Sequence, residues 1–587
     1  MSFDGLVMSA VKAELQEKLI GGRIEKIYQP LAGELTIMVH NNKEKFRLLL
    51  SADARDARVH LTHTVKENPL TPPMFCMVLR KHLEGSRIIA IEQLGLERVL
   101  KITADALDEL GRMTEKHLLC EVMGKHSNII LVDSRSNVIL DGIKRYSYGT
   151  SRHREVLPGR QYVPPPETGK LSPPDVDEDT FRHAVWAPEE EYPVDKLILQ
   201  KFEGFSPQTC REIAVRAGLD PEQSSQGLGE LDLQRLWGAF RQIIECVYTG
   251  SFTPVLCFNA GRPTAFSAVR MSRFTDLNCK TGTMNDVLDE FFSTRDKQER
   301  LRRAAAELLK VIKNELKKVQ KKISIHQEIL SKTVDSEKLK ITGELITANI
   351  YQIPARAKTV ELIDYYDPSA KTVAVELDPQ LTAAANAQAY FKRYSKARSG
   401  QAVAKTYVAE AAGELAYLES VFISVEQAEK MSDLLEIKAE LIKEGYLKPP
   451  QEPKKGRKTA ASPEPEPIKF NVEVENKDWG LQILVGRNNR QNDYLTLKLA
   501  MPDDLWLHVK DIPGSHVIVR NPQKNVIPDH VIEQAASLAA YYSKARQSTK
   551  APVDYTLRKH VRKPKGAKPG MVIYENQKTV YVEPKSL

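Results

Sequence analysis

The sequence predicts a multidomain α+β protein with a long helical middle. Its 587 residues, at about 100–200 per domain, correspond to some three to five domains. From Thr294 to Tyr351, Leu301, Ala305, Leu308, Ile312, Leu316, Val319 and Ile323 recur every three or four positions amid dense Lys, Arg and Glu. The stretch from Pro449 to Pro467, PPQEPKKGRKTAASPEPEP, has the composition of a disordered linker and sets off a last domain.

Taken in order, residues 1–170 alternate helix and strand signals. A first helix ends near Gly21-Gly22, and strands Glu34–His40 and Lys45–Ser51 follow, joined by the polar turn Asn41-Asn42-Lys43-Glu44. A helix around Pro73–Leu83 precedes several strands through Leu140. Leu157-Pro158-Gly159 and Pro164-Pro165-Pro166 then close the domain. Residues 171–286 form a helical domain. Within it KLILQKF, EGFSP and QTCREIAVRAG resemble a helix-hairpin-helix, a module that grips a nucleic-acid backbone through hairpin amides. Such hairpins usually offer two glycines; only Gly204 stands here, with Phe205 and Pro207 after it. A structural helical pair and a phosphate contact both stay open.

Residues 287–445 make the helical middle. The tract from Thr294 to Tyr351 would be a rod of roughly 85 Å at 1.5 Å per residue, too long for a compact domain. Strands Val360–Tyr366 and Lys371–Leu377 surround the turn Asp367-Pro368-Ser369-Ala370. A second helical tract runs from about Leu381 to Leu441, with Tyr407, Leu415, Leu418, Phe422 and Val425 on one stripe. Two long helices around a strand pair predict an antiparallel coiled-coil arm with a small β tip near residues 359–378. A parallel coil between chains needs no such turn. Residues 446–468 are the linker, and residues 469–587 are a mixed domain.

That last domain holds the charge. Between Tyr541 and Gly570 stand Lys544, Arg546, Lys550, Arg558, Lys559, Arg562, Lys563, Lys565 and Lys568 against Asp554 alone, a surplus equal to the +8 of the whole chain. Tyr541, Tyr542, Tyr555 and Tyr574 lie within or beside the tract. Cations interleaved with aromatic rings suit RNA, whose phosphates need charge and whose unstacked bases need flat partners. The strand-like Met571–Val582 that follows implies a folded surface rather than a solvated tail.

No P-loop, dinucleotide turn, GxSxG or HExxH is present, so no common catalytic motif is predicted. His508, Asp511 and His516 have metal-like spacing but lack an adjoining further ligand. Trp506, His508 and His516 read better as a rigid hairpin offering rings to RNA, with a plain structural hairpin as the competing reading. The six cysteines are scattered singly and read as small buried hydrophobes, not as a disulfide framework or zinc knuckle. No run approaches the ~18 apolar residues that cross a bilayer, and the charged N-terminal helix lacks a secretory core. The expected compartment is the cytoplasm, with no membrane partner and no cofactor.

Gln93–Ile102 (QLGLERVLKI) alternates as a strand, which places Arg98 on the face of Leu94, Leu96, Leu100 and Ile102. An unpaired buried charge is costly, so Arg98 must be paired or reach an anion. Glu121 interrupts Leu119 and Met123 in the same way. The two residues either form an internal Arg98–Glu121 salt bridge or line a pocket that holds an RNA base.

The start MSFDG, ENPLTPPMFCMVLRKHLEG, the Glu97-Arg98 pair, EVMGKHSNIILVD and VLPGRQYVPPP resemble the N-terminal domain of the NFACT family. LWLHVKDIPGSHVIV and ASLAAYYSKAR…VDYTLRKHVRKPKGAKPGMV resemble its C-terminal RNA-binding domain, and the likeness spans essentially the whole chain. The resemblance implies a glycosylase-like N-terminal α/β domain without its lyase nucleophile, since no proline follows Met1. It implies a factor that binds large ribosomal subunits carrying an obstructed peptidyl-tRNA, recruits alanyl-tRNA and directs untemplated alanine addition that marks the chain for degradation. The ribosome would make the peptide bonds, so the factor would position tRNA and not be an enzyme, acting as a monomer on the ribosome. Family motifs map tRNA contact onto Asp4, Glu97, Arg98, Glu121 and Lys125, with Glu97 standing where the family has Asp. Its C-terminal motifs cover Trp506, His508, Lys510, His516, Lys544, Arg546, Arg558, Lys559, Arg562 and Lys563 as RNA contacts. Bacterial members are also labelled fibronectin-binding proteins, so a surface adhesin is one alternative. A metal-dependent nuclease using His508, Asp511 and His516 is the other.

Overall fold

A computed structural model describes residues 3–107, 111–149, 151, 153–166, 168–186, 190–275, 277–333, 335–368, 371–449, 466–472 and 480–586. Most of the predicted linker, residues 450–465, therefore lies outside the described residues. The chain divides into two units, Met1–Lys297 and Gln298–Leu587.

The first unit opens with α1 (Gly5–Leu19), whose Leu6, Val11, Leu15 and Leu19 are buried. Strands β1 (Arg23–Leu31), β2 (Glu34–Asn41), β3 (Glu44–Ser51) and β4 (Arg58–Leu61) follow, then α2 (Met74–Leu83) and β5 (Arg87–Gln93). β6 (Val99–Leu107), β7 (Met113–Glu121), β8 (Asn128–Asp133) and β9 (Ile139–Gly142) complete a nine-stranded sheet in the order β4-β3-β2-β1-β5-β6-β7-β8-β9. Each pairing is antiparallel. The expected α/β domain is thus α+β, because short hairpin turns join most neighbouring strands where a parallel sheet would need crossover helices. The β2–β3 turn carries positive φ at Asn42 (47°) and Lys43 (68°), as its polar tetrapeptide predicts.

Helices α3 (Glu178–Val185), α4 (Val194–Lys201), α5 (Pro207–Arg216) and α6 (Glu230–Thr249) pack around Phe181, Phe202, Phe205, Trp237 and Phe240. Neighbouring rings there lie 4.9–5.8 Å apart. Gly204, in the turn between α4 and α5, has φ +73°, and a Cβ on it would lie 2.2 Å from the Leu96 carbonyl oxygen. Its own carbonyl accepts from Gly5 N–H at 2.6 Å. The hairpin is closed against α1 and the 94–98 loop. Gly204→Ala should destabilise the first unit by about 2 kcal/mol or more, from the left-handed backbone together with the clash. An unchanged thermal midpoint in the full-length variant would refute that packing.

Strands β10 (Val255–Asn259), β11 (Arg262–Ser267) and β12 (Asn278–Thr281) form a small sheet in the order β11-β10-β12. Cys257 and Cys279 face each other in register and are disulfide-bonded, which corrects the expectation of unpaired cysteines. They are 22 positions apart in sequence, and only strand pairing makes them neighbours. The other four cysteines are buried thiols, as expected.

The helix α7 (Met284–Thr333) starts ten residues before the predicted tract and crosses the division between the units. Its first turn is held by Glu14, which accepts from the backbone N–H groups of Met284 and Asn285. In the second unit come α8 (Ser336–Ala348), the hairpin β13 (Thr359–Ile363) and β14 (Thr372–Glu376), α9 (Ala383–Glu426) and α10 (Met431–Lys443). Leu308, Ile312 and Val319 share one core with Tyr417, Leu418 and Val421. Lys313 lies over Phe422, His326 stacks on Tyr407 at 4.9 Å, and Glu337 accepts from Tyr394 OH. Numbers rise on one partner as they fall on the other, so the pairing is antiparallel and within the chain.

The last domain contains β15 (Ile468–Asn471), β16 (Gln482–Val485), α11 (Asn489–Tyr494), β17 (Leu505–Val509), β18 (Val517–Arg520), α12 (Asp529–Tyr541) and β19 (Ala551–Leu557). The short pair β20 (Val561–Arg562) and β21 (Ile573–Tyr574) precedes β22 (Lys578–Val582). Six strands form an antiparallel sheet in the order β15-β16-β18-β17-β19-β22. Leu505, Leu507 and Val509 join the core that includes α12, while Trp506 enters a second core with Leu484, Leu495, Ile518 and Val561. No helix among the described residues is long and apolar enough to cross a membrane.

Candidate nucleic-acid interface

The sheet of the first unit brings several predicted site residues to one end. Gln93–Ile102 is not one strand: β5 stops at Gln93, and Leu94–Arg98 turns over to β6, with Gly95 at φ +52°. Leu94 is 81% exposed while Leu96 is fully buried. A glycine that accepts positive φ lets the chain reverse where alternation alone reads as continuation. Arg98 therefore sits in a hairpin loop and not on an apolar strand face. β6 and β7 set Val99 opposite Glu121, and Val122 N–H donates to the Arg98 carbonyl at 2.8 Å. The next turn, Gly124–His126, carries Lys125, which is exposed.

The Arg98–Glu121 salt bridge is not formed. Glu121 is fully buried and takes a two-pronged contact from Arg154, one arm at 2.8 Å, with Tyr162 OH donating at 3.0 Å. Arg154 is itself 5% exposed and also donates to the Val163 carbonyl. This fork is the geometry a guanidinium and a carboxylate favour. Both Glu121 oxygens are occupied, so its carboxylate is closed to a ligand and braces the loop from inside. Asp4 is also closed: it caps α1 through Val7 N–H at 3.1 Å and accepts from Thr209 OH at 2.8 Å. Arg154 and Tyr162 escaped the sequence reading because nothing in RHREVLPGRQY marks a partner 33 residues upstream.

That leaves Glu97, Arg98 and Lys125 as the groups open to a ligand. Arg98 is half-buried, and its guanidinium has no hydrogen-bonding or ionic partner among the described residues. The Glu97 carboxyl meets that of Glu203, from the α4–α5 hairpin. Burial, then the Glu97 charge, push the Glu203 carboxyl up to about 7.

In the last domain the ring-presenting hairpin is overturned. Trp506 is fully buried, His516 is 2% exposed, and Thr496 OH meets His516 Nδ1 at 2.7 Å. Trp506 packs with Leu484, Leu495, Ile518 and Val561, so the segment that follows α11 covers this side of the sheet. His508 is half-buried and stacks on Trp506 at 5.8 Å. Burial pushes its imidazole down to about 4, so the ring is neutral. Among the described residues no three His, Cys, Asp or Glu gather as a metal-ligand set.

The basic tract divides in two. Lys563 pairs with Asp493, and Lys568 pairs with Glu444 at 2.7 Å while lying over Tyr417 and Tyr446. Arg558 donates to the Thr496 carbonyl, Arg562 pairs with Glu575, and Lys544 is 3.9 Å from Glu419. Lys510, Lys559 and Lys565 are exposed with no side-chain partner among the described residues. Arg546 stacks on Tyr541 at 4.1 Å, and Lys550 lies near the exposed Tyr581. Among the described residues these five cations are paired with no carboxylate, and Tyr541 and Tyr581 lie against two of them.

A second set of acids, on α10 and at Glu444 just after it, faces the same domain. Asp433 pairs with Arg487, Glu436 accepts from Asn488 and Gln491, Glu440 from Asn489, and Glu444 pairs with Lys568. Spacings of three, four and four put these acids on one helical face.

The description "NFACT N-terminal and middle domains" matches residues 4–460, and "NFACT protein RNA binding domain" matches residues 469–576. The chain is 38% identical over 585 residues to the Bacillus subtilis protein named Rqc2 homolog RqcH, covering all of this chain and 98% of that protein. It is 29% identical over 131 residues to human "Ribosome quality control complex subunit NEMF", covering 22% of this chain and 11% of that one. A solved structure of the N-terminal part of a fibronectin/fibrinogen-binding protein from Streptococcus suis is 31% identical, covering 50% of this chain and 99% of that one, with a TM-score of 0.42.

Proposed function

The chain belongs to the NFACT family and is a ribosome quality-control factor, and on that premise we propose that it seats alanyl-tRNA on a large subunit still holding peptidyl-tRNA. The observation that carries the reading is identity with an RqcH along the entire chain, RNA-binding domain included. Untemplated alanines would be added to the obstructed chain by the ribosome's own centre, and this protein would position the tRNA. The Glu97–Arg98 loop, with Lys125 beside it, would contact tRNA, and Lys510, Arg546, Lys550, Lys559 and Lys565 would contact ribosomal RNA. Among the described residues the Arg98 guanidinium has no polar partner and the lysines no carboxylate partner, which supports these assignments, because each can meet phosphate or a base edge. The paired helices α7 to α9 would act as a coiled-coil arm, and the first unit as a glycosylase-like module without its chemistry.

Full-length protein should co-sediment with large subunits and bring alanine-accepting tRNA with it. Binding should weaken steeply with salt, and Lys559→Ala with Lys565→Ala should each lower the log–log salt slope by about one. No association at low salt defeats the reading. The adhesin alternative gains nothing from the curated relatives, and finding most of the protein on the outside of intact cells is the result that would restore it.

A further inference from the structure

The α4–α5 hairpin is built like a phosphate-gripping module, yet its turn is spent on the protein itself. Gly204 packs on the Leu96 carbonyl and accepts from Gly5 N–H, so the turn is pressed onto the loop that carries Glu97 and Arg98. Lys201 and Glu203 are tied to Leu171 by two backbone hydrogen bonds, Leu171 N–H to the Lys201 carbonyl at 2.9 Å and Glu203 N–H to the Leu171 carbonyl at 3.0 Å. That fixes the Glu203 backbone on both sides. A Cβ at Gly95 would stand 2.7 Å from Glu203 Oε1 and 2.8 Å from Ser172 Oγ, so the loop closes over both side chains. The other side of the loop is held by Gln93, whose Nε2 donates to the carbonyls of Glu97 at 2.8 Å and Gly5 at 3.1 Å. The Glu203 carboxyl hydrogen-bonds that of Glu97. Two carboxyl groups in such a contact need a proton between them.

We propose that Glu203 is a positioning residue for tRNA binding: as a protonated donor it fixes the Glu97 carboxylate and so sets the loop from which Arg98 reaches its ligand. The proposal rests on the reading of Glu97–Arg98 as the tRNA contact. In this arrangement the pair carries one negative charge, and the remaining Glu97 lone pairs are aimed by the hydrogen bond. Deprotonation adds a second negative charge to the loop that carries Arg98. Among the described residues, the charges acting on Glu203 include Glu97 from the loop and Asp175 from the turn Pro173–Asp175; both are acidic, and together with burial they favour the protonated form. Because the Glu203 carboxyl lies near 7, the donor is present below neutral pH and lost above it. Affinity for a polyanion should fall in the same direction.

The test is binding of a deacylated, alanine-accepting tRNA transcript to the full-length protein at pH 6 and pH 8, at constant ionic strength. Wild type is expected to bind about tenfold more weakly at pH 8, the effect of one added charge near the contact. Glu203→Gln keeps a donor and cannot ionise, so its affinity should equal that of wild type at pH 6 and stay there at pH 8. Glu203→Ala loses the donor and should bind several-fold more weakly at both. A Glu203→Gln variant that declines with pH as wild type does overturns the proposal, as does a folded Glu203→Ala variant that binds like wild type. Arg98→Ala is measured alongside. If it is impaired while the Glu203 variants are not, only this inference fails; if it binds normally, the reading of the loop falls and the inference with it.

Discussion

Arg98→Ala is expected to abolish alanine tailing while the protein still sediments with large subunits. The side chain has no internal partner among the described residues, so its removal should change stability by no more than about 0.5 kcal/mol. A guanidinium that makes a forked contact to a base or phosphate contributes about 1–3 kcal/mol, roughly tenfold to a hundredfold in affinity. Ribosome binding through the separate lysine surface should survive. Arg98→Lys keeps the charge without the planar fork and should restore only part of the activity. The readout is the length of C-terminal alanine extensions on a stalled reporter, by mass spectrometry. Normal extensions in the alanine variant would remove Arg98 from the mechanism.

Glu121→Ala should produce the largest loss of stability. It strands the Arg154 guanidinium, 5% exposed, with a single carbonyl partner remaining. Removing one member of a buried ion pair costs about 3–5 kcal/mol, mostly because the survivor is left buried and charged. Replacing both members by apolar residues of similar volume should cost much less, and that comparison separates an unpaired charge from lost packing. Hydrogen exchange on the full-length protein provides the measure. Amides of β7 and β8 should lose protection in Glu121→Ala and regain much of it in the double variant. Unchanged protection in the single variant would show that the pair does not brace this end of the sheet. Because Val122 N–H holds the Arg98 carbonyl, the same variant should also weaken tRNA binding, through the loop rather than through direct contact.

Local periodicity made much of the fold legible. The β2–β3 hairpin, α2, the α4–α5 pair and the helices that surround β13 and β14 all stand close to where apolar spacing and turn residues place them. Each is specified by neighbours within a few positions. The misreadings share the opposite cause. QLGLERVLKI alternates without interruption, and only the fold reveals that Gly95 reverses the chain. Cys257 and Cys279 become partners through strand register. The strand that carries Trp506 reads as a surface because a strand has two faces, and only the fold covers both of them.

The sequence by itself determined the order of the elements, the excess of positive charge near the C-terminal end and the family, since these reside in residue identity and short-range spacing. Tertiary structure alone decided which charges are free. Acids distant in the chain claim Arg154, Lys563 and Lys568, and among the described residues none claims Arg98, Lys559 or Lys565. The physical reason is that an ion pair depends on distance and burial in space, and neither is a property of a stretch of sequence.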